Sequence, residues 1–134
     1  EISECLVGSE MCIRDRNDIS RNLYWKNEAP IYDADKMNTI CANFLIDTVV
    51  THTAPSHCEL FSKSNLNQWA KNDSSLLKDV QSERKTMDMI LHHLKTDNHP
   101  VNHWYYGHFH QSWHSAIDGI LYQMLDIMEF SQVY

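Results

Sequence analysis

The feature that most constrains the fold of this chain is a long amphipathic helix set between two short strands. Leu76, Leu77, Val80, Met87, Ile90, Leu91 and Leu94 recur at helical spacing, while Lys78, Glu83, Arg84 and Lys85 are expected on the solvated face. Asp73, Ser74 or Ser75 can cap its start, and Asp97, Asn98 and Pro100 close it. His92 and His93, near its end, suit the negative pole of the helix dipole. Before the helix, residues 46–52 (IDTVVTH) form a β-branched run with the composition of a buried strand. After it, residues 101–109 (VNHWYYGHF) form a second, aromatic strand. Two strands separated by such a helix often lie side by side in one sheet as a crossover unit, because the connection is long enough to cross over it.

The remaining elements fit around that unit. A short helix is expected over residues 34–45, with Met37, Ile40, Cys41 and Phe44 at helical spacing. Residues 112–117 and 120–127 read as two strands joined through Asp118-Gly119, a favoured hairpin turn. Tyr24, Trp25, Pro30 and Tyr32 break any regular pattern early in the chain, and residues 56–72 lack a clear period, although Leu66 and Trp69 can pack locally. There is no internal repeat, low-complexity tract or linker, so an α/β chain is expected.

Residues 1–16 stand apart from this organisation. ISECLVGSEMCIRDR has no amphipathic period and resembles a translated sequencing-adapter read-through, with a disordered native terminus as the alternative. Because the chain begins with Glu1, it is expected to be part of a longer reading frame, with residues 17–134 as the portion that belongs to a folded domain. At 134 residues, 43% of them hydrophobic, one domain with a core is expected. A net charge of −7 argues against holding nucleic acid by a basic surface, since that mode relies on Lys and Arg to neutralise phosphates. No apolar run is long enough to span a bilayer. Cys5, Cys12, Cys41 and Cys58 form no Cys-x-x-Cys pair, so reduced thiols and a cytoplasmic location are expected, with Cys58 structural despite its closeness to His52 and His57.

Chemistry concentrates in the histidines. His52 sits where the first strand gives way to Thr53-Ala54-Pro55, and Pro55 cannot donate to a sheet ladder. Gly107 ends the second strand and is expected to turn the backbone or let it approach an ion, with His108 and His110 following one residue apart. In extended backbone such a pair shares one face, and a neutral imidazole offers one lone pair to a borderline transition metal. If the strands are parallel neighbours, both loops emerge at the carboxyl edge of the sheet, where α/β folds place ligands, so His52, His108 and His110 can converge on a metal. His57 is expected at the surface or beside a substrate, His114 beyond the site, and His103 without a clear claim; Asp47 is a cap or a surface charge.

Two motifs, Thr51-His52-Thr53-Ala54-Pro55 and Gly107-His108-Phe109-His110, in that order with a helix between and a hairpin after, resemble the last two motifs of the calcineurin-like metallophosphoesterase family. The resemblance covers the chain after residue 16. It implies the carboxyl-terminal part of a four-layer αββα sandwich with an incomplete sheet, and a parent enzyme that hydrolyses a phosphoester with a metal-activated water. It implies two divalent ions, Mn, Fe or Zn, with His52 and His108 on one and His110 on the other. Cations about 3.5 to 4 Å apart can share a hydroxide and orient the phosphate. The family's earlier motifs, D-x-H, G-D-x-x-D and G-N-H-D/E, are not in their expected places. Asp97-Asn98-His99 has the D-x-H form but lies between the two late motifs, so it is read as a coincidence of form. The chain alone is therefore expected to be inactive and to carry no catalytic residue beyond metal ligands. Its expected partner is a phosphoester, with nucleic acid only as a substrate. The competing expectation is a non-enzymatic interaction module holding one histidine-ligated zinc, or no metal.

Overall fold

In a computed structural model of the chain, residues 29–58, 70–71, 74–109 and 111–132 are described. The segment 1–16 therefore lies outside the described residues, as do His110, Leu66, Trp69 and the cap candidate Asp73. The element order is α1 (Ala34–Asn43), β1 (Thr48–Thr51), α2 (Leu76–Thr96), β2 (His103–Tyr106), β3 (Trp113–Ile117) and β4 (Ile120–Met124). Among the described residues this is a mixed α/β arrangement with one open four-stranded sheet, ordered β1-β2-β4-β3, and two helices.

The crossover unit has the expected form. Beta strands β1 and β2 pair in parallel, with Val49 opposite Trp104 and Thr51 opposite Tyr106. Strand β4 enters on the far side of β2, also parallel to it, and β3 closes that edge antiparallel to β4. The hairpin turns on Asp118 (φ 51°) and Gly119 (φ 80°), two consecutive left-handed residues as the tightest hairpin turn requires. The strands are shorter than their sequence patterns suggest. His52, Ile46 and Asp47 fall outside β1, and Gly107 to Phe109 fall outside β2, where His108 turns left-handed.

One face of the sheet packs on α2 and carries the core, while in β2 Tyr105 is buried as well. Trp104 and Tyr106 of β2, Ile120, Tyr122 and Met124 of β4, and Met87 and Leu91 of α2 form one core cluster, with Val49 and Trp113 packed against it. Helix α2 thus covers the sheet face that receives the odd-numbered side of β1. Val50, facing the other way on the edge strand β1, stays 47% exposed. The Trp104 indole N–H donates to Thr51 Oγ1 at 2.7 Å, which satisfies the one polar group of a fully buried ring.

Helix α2 departs from expectation on its polar side. Glu83 is buried rather than solvated. It stands three residues after Val80 and four before Met87, on the same stripe as Leu76, Leu91 and Leu94. Arg84, one position on, reaches back to the loop after β1, as described below. At its carboxyl end α2 closes in a complete Schellman motif: Asn98 adopts φ 57°, its N–H donates to Lys95 O at 3.2 Å, and the His99 N–H donates to Leu94 O at 3.0 Å.

Helix α1 starts where Asp33 Oδ1 accepts the Lys36 N–H at 3.0 Å. It ends two residues earlier than the apolar pattern suggests, because Phe44 is extended (φ −135°, ψ 143°) and only its N–H returns to Ile40 O. Met37, Ile40 and Cys41 are half-buried, whereas Phe44 is exposed. Among the described residues no helix is long and apolar enough to cross a membrane.

Candidate functional site

At the carboxyl edge of the parallel pair, the two loops meet. The sheet ladder runs one step past the strands, with the Gly107 N–H directed at His52 O across 3.4 Å. That contact brings the imidazoles of His52 and His108 together, with ring centroids 4.3 Å apart and planes tilted by 57°. Tilted rings of this separation can turn nitrogens toward a common point, which stacked rings cannot do. His110 lies outside the described residues, so the third expected ligand is not located.

The backbone reversal behind this geometry sits on His108 and not on Gly107. His108 has φ 69°, while Gly107 has no left-handed φ, and a Cβ built on it would meet only Leu125 O at 3.9 Å, an ordinary contact. The expectation that Gly107 makes the turn is therefore corrected. A left-handed histidine is uncommon but tolerated better than most residues. Phe109 holds the reversal in place: it is buried, its N–H donates to Gly107 O at 2.8 Å, and its ring meets His108 edge-on at 4.9 Å.

Below His52 the loop 53–58 is clamped to α2. Thr53, Ala54, Pro55 and Cys58 are buried. One nitrogen of the Arg84 guanidinium, Nη2, donates to the carbonyls of Pro55 at 3.0 Å, Ser56 at 2.6 Å and Cys58. Asp88, one helical turn along, accepts the Ser56 N–H at 2.8 Å and the Ser56 hydroxyl at 2.5 Å. Sequence reasoning missed this pair by placing Arg84 with the solvated residues. The available signal was an Arg and an Asp four apart, which on a helix share one face. Cys58 sits under the clamp, where burial pushes its thiol up to about 12, so it is an inert packed thiol and not a nucleophile.

The remaining candidates stand away from the pair. His57 is exposed and lies edge-on to Tyr122 at 4.9 Å, and burial lowers its pKa against the pull of Asp88. His103 stacks on Tyr105 and meets Asn102 Oδ1 through Nδ1 at 2.6 Å. His114 faces solvent on the outer side of β3. Asp47 uses its backbone rather than its carboxylate: its carbonyl accepts the N–H groups of Asn102 at 2.8 Å and His103 at 3.2 Å. Among the described residues, the group of three metal-ligating side chains is Cys41, Asp97 and His99, and it does not include His52 or His108. The pair at the carboxyl edge thus offers two imidazole donors to one divalent ion. Compared with protein-family models, curated proteins and solved structures, the chain matches none.

Proposed function

We propose that this chain is the carboxyl-terminal part of a dimetal phosphoesterase of the calcineurin-like kind, in which it supplies the histidine wall of the metal centre. The observation that carries the reading is the 4.3 Å approach of His52 and His108 at the carboxyl edge of two parallel strands joined by a crossover helix. Each histidine lies in one of the two motifs that resemble the family, and the parallel pairing is the arrangement that makes those motifs neighbours. His52, His108 and His110 would act as metal ligands; the bound ions would supply a hydroxide and charge stabilisation for phosphoester hydrolysis.

The donor set of the described residues is too small for that chemistry by itself, and no catalytic step is assigned to this chain alone. The expected outcome is no turnover of an aryl phosphate with manganese. The reading is tested on the parent gene. Codons upstream of Asn17 are expected to encode the D-x-H, G-D-x-x-D and G-N-H series, and an intact gene without them contradicts the proposal.

A second reading rests on the same pair of neighbouring imidazoles: a non-enzymatic module with one histidine-bound zinc. Zinc accepts three histidines and a water. Calorimetry in a Cys41→Ser chain separates the two readings. Tight one-site zinc binding lost in His108→Ala favours the module, and weak binding fits half of a dimetal centre.

A further inference from the structure

The opposite end of the parallel pair carries a second constellation. Cys41 of α1, Asp97 at the cap of α2 and His99 just beyond it each bring one ligand atom within 4.8 Å of the other two. We propose that Cys41, Asp97 and His99 form a binding site for a single zinc-like divalent ion at the amino edge of the sheet, distinct from the histidine pair and independent of the function proposed above.

Three observations carry this. The first is that rigid backbone presents the donors. Cys41 lies within α1, the Asp97 N–H donates to His93 O at 3.0 Å, and the His99 N–H donates to Leu94 O as part of the Schellman motif. Second, His99 Nε2 is buried and has no hydrogen-bond partner among the described residues, while its other ring nitrogen is engaged by the Ile46 N–H at 3.2 Å. With Nδ1 accepting the Ile46 N–H, the unpaired Nε2 carries the ring proton, and an ion can take its place once that proton moves to Nδ1 and the Ile46 bond is given up. The third is that Asp97 faces a second buried ring nitrogen: its Oδ2 lies 3.3 Å from His93 Nε2 without hydrogen-bond geometry, and His93 Nδ1 meets the Tyr32 hydroxyl at 2.6 Å.

The donor chemistry narrows the ion. A thiolate, an imidazole and a carboxylate suit zinc or cobalt rather than magnesium or calcium. Zinc bonds of about 2.0 to 2.3 Å put ligand atoms roughly 3.5 Å apart, a spacing that three atoms already within 4.8 Å of one another reach by small side-chain movements. Three protein ligands leave the fourth tetrahedral position to water. On binding, the Cys41 S–H proton passes to solvent as the sulfur–ion bond forms. A ring that coordinates through one nitrogen keeps its proton on the other, so the Ile46 N–H···Nδ1 bond must be exchanged, which makes the Ile46 amide a reporter.

Cobalt titration tests the proposal, because a thiolate ligand gives a near-ultraviolet charge-transfer band that a histidine pair cannot give. The full chain is used with Cys5→Ser and Cys12→Ser, so that Cys41 and buried Cys58 are the remaining thiols. The expected result is a band saturating at one equivalent of cobalt, together with a shift of the Ile46 amide resonance. Cys41→Ser abolishes the band, the exposed-site variant Asp97→Asn weakens binding at least about tenfold, and His108→Ala leaves the band in place. A chain that gives no charge-transfer band, or one whose band survives Cys41→Ser, overturns the proposal.

Discussion

The two ends of the β1–β2 pair differ both in their donors and in what holds them. At the carboxyl edge two imidazoles meet across loops, and the His52 loop is fixed by side chains from the middle of α2, Arg84 and Asp88. At the amino edge a thiol, a carboxylate and an imidazole meet where α2 stops, and backbone bonds of the helix end do the fixing. The strands between are four residues long, so at about 3.3 Å per residue the two clusters stand at least roughly 13 Å apart and cannot share an ion. The difference teaches that one crossover unit can present a site at each end: strand ends followed by loops at one, and a helix terminus at the other.

The largest expected effect falls on the side-chain clamp. Arg84→Ala leaves the carbonyls of Pro55, Ser56 and Cys58 without their charged donor, and charge-assisted hydrogen bonds are worth about 1.5 to 3 kcal/mol. We expect a loss near about 2 kcal/mol in urea unfolding. Hydrogen exchange should accelerate at Ser56 and Cys58 while the His99 amide keeps its protection. Equal acceleration at both ends would break the comparison, since it would mean that the edges are not held separately.

A smaller effect is expected at the helix end. Asn98 occupies φ 57°, where an L side chain without a local hydrogen bond costs about 1 to 2 kcal/mol. Asn98→Ala should destabilise by about 1 kcal/mol and Asn98→Gly should restore or slightly exceed the starting stability in the same assay. If alanine and glycine behave alike, the Schellman geometry does not position Asp97 and His99.

Much of this frame was legible in the sequence, and the reasons are local. The apolar stripe of α2, the β-branched and aromatic strands, and the Asp118-Gly119 turn each encode their conformation within a few residues, and the parallel pairing follows from them. Glu83 could have been placed inside, since it completes the stripe, but its charge argued the other way. Residue type points to Gly107 as the place where the backbone turns or nears an ion, whereas the left-handed φ falls on His108, next to buried Phe109. The approach of Cys41 to Asp97 and His99 was not legible, because it depends on how α1 docks against the end of α2. The Asp97-Asn98-His99 sequence, set aside as a chance form of a family motif, stands at the edge opposite to His52 and His108 and finds its neighbours there in Cys41.

The smallest effect concerns pH and falls just past the end of β4, at the carboxyl edge. Glu129 accepts the Ser112 hydroxyl at 2.6 Å and the Asp126 N–H at 2.8 Å, and these bonds, the hydroxyl first, hold its pKa below the ordinary carboxylate range. A depressed folded pKa stabilises the fold above the unfolded value and loses that contribution as pH falls through the folded one. Acidification should therefore loosen the turn at 126–129, seen as faster exchange at the Asp126 amide. Glu129→Gln should remove most of that dependence.

The central claim, that His52 and His108 form one metal-facing pair, is tested most directly by the histidine ring resonances of the Cys41→Ser chain during addition of substoichiometric manganese. The account predicts that the His52 and His108 signals broaden together, ahead of His103 and His114, and that His108→Ala removes the selective broadening of His52. Broadening that is uniform across the histidines, or that spares His52 and His108, would contradict it.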